Sequence, residues 1–158
     1  MGVNPQIAGK TYTGAPVYEV GREKIREFAE AIGSTDPVHT DPAAAQALGH
    51  PDVVAPPTFA IVIAQRCEGQ VMSDPEAGID YTRLVHGEQK FTHHRPIVAG
   101  DRLTSVAHVD DARLMAGNGR VITRVEITDA AGEPVVTAVS MVVIRAEEKA
   151  EEKAEEKA

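Results

Sequence analysis

At 158 residues, 42% of them apolar and none tryptophan, the chain has the length of one domain, and its core must rest on Val, Ile, Leu and Ala. The net charge of −8 comes without a basic stripe to neutralise phosphate, and the six-residue apolar run Phe59 to Ala64 falls far short of a bilayer span. These features argue against a nucleic-acid binder and against a membrane helix. The lone Cys67 permits no intrachain disulfide, and no charged-then-apolar leader opens the chain, so the expectation is a soluble cytoplasmic domain.

Tyr12 to Val20 reads as a short strand with the turn-prone Gly14-Ala15-Pro16 inside it. Arg22 to Ile32 then places Ile25, Phe28, Ala29 and Ile32 on one helical face, and Gly33 stands where a left-handed residue ends a helix. A second short helix is predicted from Asp41 as N-cap, Pro42 in the first turn and Gly49 at the end. Pro56 and Pro57 can open a helix but not sit inside one. The apolar run behind them therefore predicts a buried helix over about residues 57–70, turning polar at Gln65, Arg66 and Glu68. Periodicity alone leaves a strand over Phe59 to Ala64 open.

From Ile79 onward the signals are β. Arg120 to Thr128 alternates Val121, Thr123, Val125 and Ile127 against Ile122, Arg124, Glu126 and Thr128, which suits a strand with one buried face. Met115 to Gly119 and Asp129 to Glu133 read as hairpin turns, and Ile97 to Asp101 as a further turn between strands. Val135 to Ile144 is apolar on both faces and belongs in the middle of a sheet or against a partner. The outline is α+β: an antiparallel sheet, mostly from residues 79 to 145, wrapped around one buried helix. Residues 1–145 form this domain, and 146–158 form a charged tail in which Glu-Glu-Lys-Ala occurs three times. That tail has no apolar stripe, carries −3 of the −8, and reads as solvated or disordered.

Three segments carry a likeness. They are Ala31-Ile32-Gly33-Ser34-Thr35-Asp36-Pro37-Val38-His39, then Val54-Ala55-Pro56-Pro57-Thr58-Phe59, then His86-Gly87-Glu88-Gln89-Lys90-Phe91 with Arg95-Pro96-Ile97-Val98-Ala99-Gly100-Asp101. In this order, over residues 5 to 145, they resemble the MaoC-like (R)-specific hydratases and dehydratases, which have the hot-dog fold. The short type that includes the substrate-binding subunits of heterodimeric (3R)-hydroxyacyl-ACP dehydratases is the nearest likeness. The resemblance implies reversible loss of water from a (3R)-3-hydroxyacyl thioester, with CoA or acyl carrier protein as carrier. Neither metal nor redox cofactor is then needed. It further implies an Asp and a His exchanging protons with one water, and a backbone N–H at the start of the buried helix holding the enolate-like oxygen.

The usual signature of that family is Gly-Asp-x-Asn-Pro-aliphatic-His. Aligned on Pro37, His39 occupies the catalytic position, Ser34 stands where the Asp is expected, and Asp36 replaces the Asn. Ser34 cannot act as a carboxylate base, and Pro56 or Pro57 falls near the oxyanion donor with no N–H to give. The candidate catalytic residues are therefore His39, Asp36 and Ser34, and the candidate substrate contacts Pro56, Pro57, Thr58 and Phe59. Each also has a plainer reading. His39 can tie down the loop, Asp36 can cap the turn by bonding the backbone ahead of Val38, and Ser34 can serve as a cap. His93 and His94 adjoin on a strand and point to opposite faces, which does not suit one metal. Cys67 is a small core residue, and Gly100-Asp101 a turn first.

Two catalytic arrangements remain: an active homodimer, or a chain-binding subunit whose hot-dog partner supplies Asp and His. A hot-dog acyl-CoA thioesterase is an alternative that would need Glu68 as its carboxylate, and a non-catalytic acyl-ligand module is another.

Overall fold

The computed structural model describes residues 2–146. The charged tail expected beyond residue 145 lies, except for Ala146, outside the described residues. In chain order the elements are β1 (Thr11–Tyr12), β2 (Tyr18–Glu19), α1 (Arg22–Ala31), α2 (Pro42–Ala47), α3 (Ala60–Met72), β3 (Leu84–His93), β4 (Arg102–Met115), β5 (Asn118–Thr128) and β6 (Pro134–Ile144). The long strands pair antiparallel in the order β4-β5-β6-β3, with β1 and β2 both on the outer side of β4. The sheet curls around α3, whose Ala60, Ile63, Ala64, Cys67 and Val71 are completely or almost completely buried. This is the hot-dog arrangement.

The helices form where the sequence places them. Asp41 caps α2 by accepting from the Ala43 N–H at 2.9 Å. Phe59, fully enclosed just ahead of α3, takes Tyr18 and Phe28 edge-on at ring separations of 6.3 and 5.4 Å. Thus three scarce aromatics fasten β2 and α1 to the start of the central helix. The β4–β5 hairpin turns through Ala116 (φ 48°) and Gly117 (φ 83°), a two-residue turn whose twist matches that of the strands.

Two expectations need correction. The single strand over Tyr12 to Val20 is two short pieces, because Pro16 offers no N–H to a ladder; Tyr12 faces Ala107 while Tyr18 faces Leu103. The polar turn of α3 is also not a uniform solvent face. Gln65 and Arg66 are exposed, but Glu68 is only 6% exposed. Conversely Ile61 and Val62, inside the all-apolar run, are half-buried, so α3 keeps one open side. Strand β6 lies between β5 and β3 as its two apolar faces require, and β3 is left at the sheet's edge.

Candidate active site and acyl groove

The signature loop follows α1. Gly33, at φ 71°, turns the chain out of the helix, and the Ser34 N–H closes that turn on the Ala29 carbonyl at 2.8 Å. Pro37–His39 forms one short 3-10 turn. Asp36 Oδ1 accepts from the Val38 N–H at 3.0 Å, which is the capping role. His39 is 7% exposed, and its Nδ1 lies 2.6 Å from the Val54 carbonyl oxygen. A carbonyl only accepts, so Nδ1 carries the proton and donates it, leaving Nε2 as the imidazole's acceptor. Among the described residues no side-chain hydrogen bond joins Ser34 or Asp36 to His39.

Val54 is itself held from several sides. Its N–H donates to the Val38 carbonyl at 2.9 Å, and it bridges Val98 in antiparallel fashion. The Ala55 N–H donates to Ile97 at 2.8 Å and the Ala99 N–H to Val53 at 3.0 Å. The 97–101 turn that grips this segment is fixed by Asp101. Its Oδ2 accepts from the Val98 N–H at 3.0 Å and from Arg95 at 2.9 Å, while Oδ1 accepts from the second Arg95 nitrogen at 3.0 Å. The carboxylate beside it raises the Arg95 guanidinium further above its already high range. The segment whose Val54 carbonyl receives His39 is thus gripped by the turn that Asp101 fixes, through the flanking Ala55–Ile97 and Ala99–Val53 backbone bonds.

At the opening of α3, Pro56 is buried while Pro57 and Thr58 face outward. Phe59 is enclosed and serves the core rather than an open surface. The Phe59 N–H bonds back to the Pro56 carbonyl at 2.9 Å. Among the described residues the Thr58 N–H has no backbone partner, which makes it the first free donor after the two prolines.

Two clefts follow the open side of α3. One, about 560 Å³, lies against α1 between Phe28, Ala31, Val62, Gln65 and Arg66. The other, about 430 Å³, lies between α3 and the β3–β6 edge, with Met72, Leu84, Val142 and Gln65 among its walls and Glu68 in its lining. Gln65 is common to both. Glu68 Oε1 accepts from Thr123 Oγ1 and Ser140 Oγ, each at 2.6 Å, and the Gln89 side-chain amide lies 2.9 Å from the same Ser140 hydroxyl. Thr123, Ser140 and Gln89 are register partners, so they form one polar row across β5, β6 and β3. Sequence reasoning reached Glu68 only as a thioesterase alternative and missed this row. Its signal was there: Thr123 and Ser140 are lone hydroxyls on otherwise apolar strand faces.

The profile of the FAS1-like dehydratase domain region matches residues 6–138. A UPF0336 protein of Saccharopolyspora erythraea is 54% identical over 145 residues, covering 92% of this chain and 93% of its own. A crystal structure of C-terminally truncated HadBC, a (3R)-hydroxyacyl-ACP dehydratase complex of Mycobacterium tuberculosis, superposes with a TM-score of 0.79 at 31% identity, covering 87% of this chain and 96% of that one. A MaoC-like dehydratase gives 0.80 at 37% identity over 88% of this chain, which spans 42% of that longer molecule. The chain belongs to the FAS1-like dehydratase-region family, is a UPF0336 relative, and shares its hot-dog fold with the MaoC-like dehydratases.

Proposed function

We propose that this chain is the acyl-chain-binding subunit of a (3R)-3-hydroxyacyl thioester dehydratase, acting in fatty-acid metabolism with a second hot-dog chain that carries the proton-transferring pair. The observation behind this reading is the state of the signature loop. Ser34 has no carboxylate, and the Asp36 carboxylate of the same loop is engaged through Oδ1 with the Val38 N–H. The 31% identity to a chain of the HadBC complex, over nearly its whole length, supports a two-chain assembly.

The chemistry sets what each chain must do. In the hydration direction a base takes a proton from water as its oxygen attacks C3, a proton reaches C2, and charge builds on the thioester oxygen in between. His39 Nε2 could accept one proton, but without a carboxylate no second group shares the water. In this chain His39 instead anchors the loop through Val54. Thr58, with its free N–H at the start of α3, is positioned to receive a thioester oxygen, and the open side of α3 to receive the chain behind it. The carrier is CoA or acyl carrier protein, and the reaction calls for neither a metal nor a redox cofactor. The location proposed is the cytoplasm; no helix among the described residues is long and apolar enough to cross a membrane.

The partner's place is the free edge of β3, ten residues long and exposed over most of its length. Sedimentation at micromolar protein tests the assembly. The chain mixed with a hot-dog chain bearing intact Asp and His should run as a 1:1 complex. Two species sedimenting independently would contradict it.

A further inference from the structure

We infer that Arg66 holds the phosphate at the far end of the carrier's pantetheine arm, in the cleft between α1 and α3. This rests on the acyl-thioester role proposed above and names how the carrier is held, since CoA and acyl carrier protein present the same arm with the same phosphate. Of the chain's ten arginines, eight are paired with a carboxylate; among the described residues Arg66 and Arg145 have no such partner. Arg145 borders a cleft of about 150 Å³, Arg66 one of about 560 Å³. The Arg66 guanidinium is nevertheless held in place. It lies 5.0 Å from the centre of the Tyr18 ring, and Tyr18, buried itself, meets the enclosed Phe59 edge-on. Stacking on a fixed ring orders the planar fork in advance, so less freedom is lost when two of its N–H groups meet two oxygens of one anion.

The lining fits a phosphate on a slender arm. Lys24 brings a second cation and Glu27 a carboxylate, whose Oε2 lies 3.4 Å from the Lys24 Nζ, so the cleft keeps a net positive charge. Phe28, Ala31 and Val62 give it apolar wall, and Gln65 adds an amide. A pantetheine arm alternates short hydrocarbon pieces with amides and suits such a mixed surface. Its length also agrees. Phe59 and Ala60 keep right-handed helical angles, so Thr58, Val62 and Arg66, each four residues from the next, follow one side of α3. The eight residues from Thr58 to Arg66 rise about 12 Å at 1.5 Å each. About thirteen bonds separate sulfur from phosphorus in the arm, roughly 16 Å when extended. With the thioester oxygen at the Thr58 N–H, the phosphate therefore reaches Arg66 with slack. The cleft against α1 is thus assigned to the carrier's arm, and the acyl chain takes the rest of the open side.

Calorimetric binding of octanoyl-pantetheine and octanoyl-phosphopantetheine to the full chain tests this. The phosphate should tighten binding about tenfold, the scale of a bidentate contact between arginine and an anion. In Arg66→Gln that gain should fall below about threefold while octanoyl-pantetheine binds as before. Circular dichroism confirms that the variant is folded; if it is not, the wild-type gain decides alone. Octanoyl-CoA and an octanoyl-acyl carrier protein separate the two carriers: each one whose binding weakens about tenfold in Arg66→Gln is one the site takes. Equal binding of the two pantetheine thioesters by the wild type would overturn the inference and leave the acyl-binding role standing. So would an undiminished gain in a folded Arg66→Gln, or a loss with neither carrier. Failure of every thioester to bind would remove the role and the inference together.

Discussion

Asp101→Ala should cost this protein about 2–3 kcal/mol and disturb a histidine with which it makes no direct contact. The carboxylate accepts three hydrogen bonds, two from Arg95 and one from the Val98 N–H, and its side chain is 13% exposed against 33% for Arg95. With Arg95 partly in water, the pair is worth about 1 kcal/mol. Stranding the half-buried Val98 N–H adds about 1–2 kcal/mol. For a domain of this size each kcal/mol lowers Tm by roughly 2–4 °C, so thermal unfolding by circular dichroism should fall by about 4–12 °C. Asp101→Asn keeps an acceptor for Val98 and should lose only about 2–4 °C. The second readout is the imidazole. The Ala55–Ile97 and Ala99–Val53 bonds to the turn hold the segment whose Val54 carbonyl receives the His39 Nδ1 proton, so nitrogen-15 NMR should show the Nδ1–H form in the wild type and tautomer mixing in Asp101→Ala. An Ala variant as stable as the wild type would refute the reasoning. So would a destabilised one whose His39 signal stays unchanged.

Acid should weaken the fold through Asp74. The Lys10 ammonium at 2.6 Å, with the Tyr12 hydroxyl at 2.7 Å, holds its carboxyl down at about 2. A depressed carboxyl stabilises above its ordinary value near 3.8 and loses that as pH falls towards 2, so Asp74→Asn should flatten the acid limb of a stability profile between those values. Tyr12 moves the other way, pushed up to about 12 by burial and by Asp74; its contribution is present below pH 10 and lost as pH rises through 12, as ultraviolet titration of the phenol can follow. Phe59→Ala removes the ring that Tyr18 and Phe28 pack against and should cost about 4 kcal/mol in urea unfolding; less than about 2 would mean the site collapses to fill the gap. His39→Ala should lower Tm yet leave the turnover of an assembled two-chain complex within about threefold. A folded complex slowed by about 10²-fold would make His39 a general acid–base group.

Much of the fold was legible because its signals are local. The face Ile25, Phe28 and Ala29, the Asp41 cap and the paired prolines each fix a boundary within a few residues, whereas Ile32, expected on the same face, is the C-cap of α1 and 51% exposed. The β4–β5 hairpin was marked by Ala116-Gly117. What could not be read locally depends on distant partners. Glu68 looked like the polar side of a helix, since nothing near it in sequence announces that Thr123 and Ser140, 55 and 72 positions away, would cover it. The open side of α3 was hidden for the same reason: Ile61 and Val62 are as apolar as Ile63, and only the extent of the sheet leaves them uncovered. At the signature loop the sequence correctly offered Asp36 a turn role, and the structure supplies the bond to Val38. It gave no hint that Asp101 steadies His39, because the link passes through backbone groups of a third segment.

The central claim is that this chain holds the acyl group and lacks a complete proton-transfer pair. The most direct measurement is the hydration rate of crotonyl-CoA by the purified chain, alone and after mixing with a hot-dog chain that carries intact Asp and His. The account expects no turnover above background alone, and turnover in the mixture that exceeds what the partner achieves by itself. Efficient hydration by the isolated chain would contradict it, and would mean that Ser34, Asp36 and His39 form a working site after all.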